Sequence, residues 1–230
     1  MRITTAKYFG NSNKKVVLLI GGWTYTQSIM WLPSKILARH GYYCITYTYP
    51  VETFSTDFKK TVNDLTEIKN EILHDIEQLK KAGYESFSVF GTSLGTVLAT
   101  LVANESSEIT KVILNTTGAD TAISVWSWDN VVPGFKKALL EQNLTLEKLT
   151  HYWRPISPRF HMDKLQGKKL LIYLAKNDQI IPYSQGEALI QKCKEYNYNY
   201  QVIINNYFNH GLTGIYNLLN LRSYLKFLED

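Results

Sequence analysis

The chain has only two cysteines, Cys44 and Cys193, far apart in sequence. That spacing matches no zinc, redox or disulfide framework, and each thiol falls in an apolar or helical stretch that reads as buried and free. The five histidines (His40, His74, His151, His161 and His210) are scattered, with no pair at metal-binding spacing. No metal or cofactor is expected. Long apolar runs are also missing. None approaches the roughly 18–20 residues that span a bilayer, so no stable membrane insertion is expected. Met1 to Lys7 lack the continuous apolar core and small-residue cleavage site of a secretory leader, and the expected compartment is cytoplasmic. Without such a leader, the glycosylation-like tripeptides at Asn104, Asn115 and Asn143 are chance matches. There is no tract of one charge sign. Lys and Arg total 25 against 20 Asp and Glu, a net +5, but the lysines come as isolated doublets such as Lys14-Lys15 and Lys168-Lys169. A nucleic-acid surface needs that charge gathered on one face, so no nucleic-acid partner is expected. The 16 tyrosines are not periodic and build no base-stacking platform.

What is present is globular composition: 230 residues, 45% hydrophobic and 20% charged, within the range of one domain. Short β-branched or aromatic runs alternate with helical patterns. The strand candidates are Lys15–Ile20, Tyr42–Tyr47, Ser86–Phe90, Lys111–Asn115, Lys169–Ala175 and Tyr200–Ile204, with an edge strand near Ile3–Phe9. Val62, Leu65, Ile68, Ile72, Ile76 and Leu79 recur every three or four residues, which predicts an amphipathic helix ended by Gly83. Helices are also predicted over Ser28–His40, Ser93–Ala103, Leu139–Trp153, Tyr183–Tyr196 and Thr213–Leu228. Such alternation predicts an α/β fold, a mostly parallel sheet flanked by helices on both faces. One stretch breaks the rhythm. About fifty residues separate Asn115 from Lys169, against a usual connection of 2–6, and they carry Trp126, Trp128 and Trp153. The expectation is a helical lid over about 119–166, with those tryptophans contacting substrate.

The residues that carry chemistry start at Gly91-Thr92-Ser93-Leu94-Gly95, between a strand and a helix. Gly-x-Ser-x-Gly in that setting is a nucleophile elbow, a strained turn that lifts one hydroxyl into a cleft. A serine hydroxyl needs a base, and the base needs an acid to hold its tautomer. Asp178 lies in the turn after Lys169–Ala175, at the sheet edge where open α/β sheets place ligands. His210 follows the last strand and precedes the final helix. The order Ser93, Asp178, His210 is the one this kind of site requires. Asp120, after the strand ending at Asn115, is the reserve acid. An oxyanion needs amide donors: Leu94 beside the nucleophile, and Trp23 or Gly22 in the Gly21-Gly22-Trp23-Thr24 turn after the first central strand.

With these motifs in strand order, the chain resembles the α/β-hydrolase superfamily over essentially its whole length, 1–230. The resemblance rests on Leu19-Ile20-Gly21-Gly22-Trp23, the elbow, Asn177-Asp178-Gln179-Ile180-Ile181-Pro182 and Asn209-His210-Gly211. It implies a cap after the sixth strand, where the long insertion falls. It also implies Ser93 as nucleophile, Asp178 as orienting acid and His210 as general base. The expected activity is cleavage of a small-molecule carboxylic ester or thioester with an apolar acyl group through an acyl-enzyme. Acyl transfer on the same residues, or an inactive hydrolase-like binding protein, are the rival readings. Where relatives carry His-Gly before the oxyanion donor, this chain has Gly21-Gly22, which leaves the second donor open between Trp23 and Gly22.

Overall fold

A computed structural model of the chain describes residues 3–10, 14–128 and 132–230. Met1 and Arg2 of the leader reading, and residues 129–131 of the insertion, lie outside the described residues. Seven strands form one sheet: β1 Thr5–Phe9, β2 Lys15–Ile20, β3 Tyr42–Thr48, β4 Ser86–Thr92, β5 Ile109–Asn115, β6 Lys169–Ala175 and β7 Asn199–Asn205. Their spatial order is β1-β3-β2-β4-β5-β6-β7. Only β1 runs antiparallel, along β3; every other pairing is parallel.

Strand alternation divides the core in two. Val16, Leu18 and Ile20 of β2 point into the larger cluster, and Val17 and Leu19 into the smaller one on the opposite face. With both faces covered, β2 is apolar from Val16 to Ile20. The helix α1 (Gln27–Arg39) leads from β2 to β3, and α2 (Phe58–Lys81) returns to β4 on the other side of β2. The buried Leu65, Ile68, Ile72 and Ile76 form the inward stripe of α2, and the Asp57 carboxylate caps it by accepting from the Lys59 and Lys60 amides. Because β3 and β4 leave β2 in opposite directions, a crevice opens at the carboxyl ends of β2 and β4. The Gly21-Gly22 turn and Ser93 face each other there.

Three expectations need correction. The insertion leaves the sheet after β5, not after a sixth strand, because one strand alone, β1, precedes β2 among the described residues. The helix expected over Leu139–Trp153 is two, α5 (Phe135–Glu141) and α6 (Leu146–Tyr152), because Asn143 between them has φ +58° and no α-helix continues through that conformation. The final helix is likewise two, α8 (His210–Leu219) and α9 (Leu221–Glu229), broken at Asn220, whose ψ of 69° is not helical. The insertion also contains α4 (Thr121–Trp126), and α7 (Tyr183–Glu195) connects β6 to β7. Both thiols are buried, and that burial pushes the Cys44 and Cys193 pKa values up to about 12. Among the described residues, no helix is long and apolar enough to cross a membrane.

Candidate active site

Ser93 stands between β4 and α3 (Leu94–Glu105) with φ +55° and ψ −124°, a conformation that costs an L-residue strain. Two contacts hold it there. Its amide donates to the Asn115 carbonyl at 2.8 Å, and its carbonyl accepts the Thr96 amide at 2.8 Å. The flanking glycines let the strand and helix meet closely. A Cβ on Gly95 would lie 2.6 Å from the Gly21 carbonyl oxygen, and one on Gly91 would lie 2.8 Å from the Ala99 Cβ. Gly95→Ala is therefore expected to cost about 1–3 kcal/mol through overpacking, read as a lower urea midpoint. An unchanged midpoint would show that α3 shifts freely against β2.

His210 is the first residue of α8, whose N-terminus is capped by the Asn209 side chain accepting from the Leu212 amide at 3.0 Å. Asp178 lies in the turn after β6. Its Oδ1 accepts the Ile180 and Ile181 amides at 2.9 and 2.7 Å, which fixes the carboxylate and leaves Oδ2 for the imidazole. His210 Nδ1 and Asp178 Oδ2 are 2.7 Å apart, and His210 Nε2 and Ser93 Oγ are 2.8 Å apart. An ionised carboxylate only accepts, so the Nδ1–H donates to Asp178 and Nε2 is left to accept the serine proton. Side chains 117 positions apart in sequence thus form one chain of hydrogen bonds. Both the His210 and Asp178 side chains are nearly buried.

The hydroxyl faces a cavity of about 310 Å³. Trp23, Phe54, Leu94, Val97, Val125, Trp128 and Ile180 supply most of its apolar wall, together with Tyr25. The rings of Trp23 and Trp128 stack at 5.6 Å, and the Trp128 indole donates to the Ile180 carbonyl at 2.7 Å. Burial pushes the Tyr25 phenol up to about 12, so this wall carries no tyrosinate near neutral pH. Among the described residues, the Leu94, Trp23 and Gly22 amides have no backbone acceptor. The Gly22 carbonyl accepts from Tyr25 at 3.0 Å and closes the turn.

The other expected residues are placed less simply. Of the three insertion tryptophans, only Trp128 lines the cavity. Trp153 is fully buried against Phe54 and donates to the Phe58 carbonyl, whereas Trp126 lies at half-buried depth beneath Lys136. Asp120 lines the cavity too, but its Oδ1 caps α4 through the Ala122 and Ile123 amides, and its Oδ2 faces Arg159 Nη1 at 3.3 Å. Tyr25, Phe54 and the Ile180–Ile181 pair were not expected at the cavity from the sequence. Nothing in their local pattern marks them, because loop packing brings them there. Among the described residues, no group of three or more His, Cys, Asp or Glu side chains is placed to hold a metal ion.

The family model for the prolyl oligopeptidase family matches residues 54–230. The chain belongs to that family. That family belongs to the α/β-hydrolases, and the chain has their fold. Comparison with the curated proteins finds no match. Among solved structures, the acylaminoacyl peptidase of Pyrococcus horikoshii has a TM-score of 0.73 at 15% identity, covering 97% of this chain and 39% of its own. A puromycin-hydrolysing peptidase of Mycobacterium tuberculosis has 0.73 at 14%, covering 98% of this chain and 36% of its own. An esterase of Exiguobacterium antarcticum has 0.61 at 14%, covering 99% and 96%. At these identities the likeness is one of fold. The chain spans well under half the length of the two peptidases and nearly all of the esterase.

Proposed function

We propose that this serine hydrolase cleaves a carboxylic ester or thioester with a small to medium apolar acyl group, through an acyl-enzyme on Ser93. The observation that carries the reading is the unbroken hydrogen-bond chain from Ser93 through His210 to Asp178, opening on an apolar cavity. His210 Nε2 takes the Ser93 proton as Oγ attacks the carbonyl carbon, and Asp178 stabilises the imidazolium that forms. The Leu94 amide, with that of Trp23 or Gly22, donates to the oxyanion; losing one such donor typically costs about 3 kcal/mol of barrier. His210 then returns its proton to the leaving oxygen or sulfur, and the C–O or C–S bond breaks. In the second half, water gives a proton to His210 and attacks the acyl-enzyme, releasing the acid and restoring Ser93.

The volume supports a modest acyl group, because about 310 Å³ stands at the small end of ligand pockets. The insertion serves as a fixed wall of this pocket, not as a hinged lid. Leu139, Leu149, Trp153, Ile156, Met162 and Leu165 support that reading by joining the same core cluster as β2 and α3. Across p-nitrophenyl esters of rising length, kcat/KM should peak at a short to medium acyl chain. Trp128→Ala should move the peak to longer chains while changing acetyl-ester turnover by no more than about threefold. A length profile that Trp128→Ala leaves in place would sink the pocket assignment, and faster turnover of aminoacyl anilides than of any ester would replace the substrate class.

A further inference from the structure

The helix that carries His210 has an unusual docking face. Among the residues of α8, the buried ones are His210, Thr213, Gly214, Asn217 and Leu218, so a single large apolar side chain anchors it. Leu212, Ile215, Tyr216 and Leu219 point outward and are exposed. Apolar contact is non-directional and lets packed surfaces slide, and here there is little of it. Directional bonds must set where the helix sits.

Tyr224 of α9 supplies one, donating to the Leu218 carbonyl at 2.9 Å, and two more converge on Asn115, the last residue of β5, which is fully buried. Its Nδ2 donates to the Gly214 carbonyl at 2.8 Å and to Thr92 Oγ1 at 3.2 Å. Its Oδ1 accepts from Asn217 Nδ2 at 2.9 Å. Gly214 and Asn217 follow His210 by four and seven positions, so all three lie on one stripe of α8. Gly214 permits the approach, since a Cβ there would lie 2.9 Å from the Tyr25 hydroxyl and 3.4 Å from Thr92 Cγ2. The Asn115 backbone carbonyl meanwhile accepts the Ser93 amide at 2.8 Å. One residue thus grips the nucleophile turn through its backbone and the base-bearing helix through its side chain.

We propose that Asn115 is a positioning residue that sets the separation of Ser93 Oγ and His210 Nε2, with Asn217 as its partner on the helix. The inference rests on the roles proposed for Ser93 and His210. A buried amide with both donors and its acceptor engaged specifies one arrangement. Without it, α8 is free to slide or turn along a weakly apolar face, and a displacement of about 1 Å at the reacting atoms is enough to cost up to about 10²-fold.

The test uses Asn115→Leu and Asn217→Leu, assayed well below their measured melting midpoints. Fluorophosphonate labelling of Ser93 and kcat for a short p-nitrophenyl ester should fall about tenfold or more in Asn115→Leu, with KM within about twofold. Activity per folded molecule within about twofold of the parent, with only the midpoint lowered, would overturn the proposal and leave Asn115 a stability residue. If Asn115→Leu does not fold, Asn217→Leu and Thr92→Val each remove one bond of the set. A several-fold kcat loss in both then supports the inference, and unchanged kcat in both overturns it. Failure of the underlying assignment looks different, because the unsubstituted protein would then show no labelling at Ser93.

Discussion

Ser93→Ala is expected to abolish fluorophosphonate labelling and to lower ester turnover by roughly five to six orders of magnitude, the scale found when a triad nucleophile is removed. The substitution deletes one oxygen and keeps the Cβ, so the backbone bonds to Asn115 and Thr96 remain available. The fold should therefore survive, and the circular dichroism spectrum and melting midpoint should stay close to those of the parent. What disappears is the only atom within hydrogen-bond reach of His210 Nε2 among the described residues. The residual rate should come from binding and oxyanion stabilisation alone, with no burst of leaving group before steady state. Ser124 is the other serine lining the cavity, but its hydroxyl already donates to the Asp120 carbonyl at 2.8 Å. Labelling or a burst that persists in Ser93→Ala would remove Ser93 as the nucleophile.

The parts of this site that were legible are the ones written locally. The elbow is five consecutive residues whose glycines answer to close backbone contacts, Gly91 against α3 and Gly95 against the end of β2. Asp178 and His210 were legible because each stands just past a strand readable from its apolar run, and a parallel sheet puts all such turns on one edge. The helix breaks at Asn143 and Asn220 were not, since an apolar period carries straight through a residue that leaves the helical region. The insertion was legible as an anomaly of length, but not in which of its tryptophans reaches the cavity. Trp153 and Trp128 look alike in sequence, yet one is sealed beneath Phe54 and the other closes the cavity. Asn115 carried a usable signal. It is a polar residue ending a buried strand, and its tripeptide context drew attention to glycosylation while its burial assigns the amide to internal bonds.

The sharpest separation of roles should come from comparing Asp178→Asn with Asp120→Asn, the two acids that follow neighbouring strands. In Asp178→Asn the amide oxygen can still accept the Ile180 and Ile181 amides, so the turn keeps its shape. The amide nitrogen then faces His210 Nδ1, which must become an acceptor. The ring proton moves to Nε2, which can no longer take the Ser93 proton, and no anion remains to stabilise the imidazolium. Turnover is expected to drop about 10⁴-fold with the melting midpoint little changed, as for the same exchange in other serine triads. Asp120→Asn keeps an oxygen to cap α4 and loses only the charge facing Arg159. It should move the midpoint, while kcat stays within about threefold because its oxygens contact the α4 amides and Arg159 rather than the imidazole. If the ranking inverts, with Asp120→Asn inactive and Asp178→Asn near normal, the acid belongs at the end of β5 and the chain of bonds through His210 must be rebuilt around it.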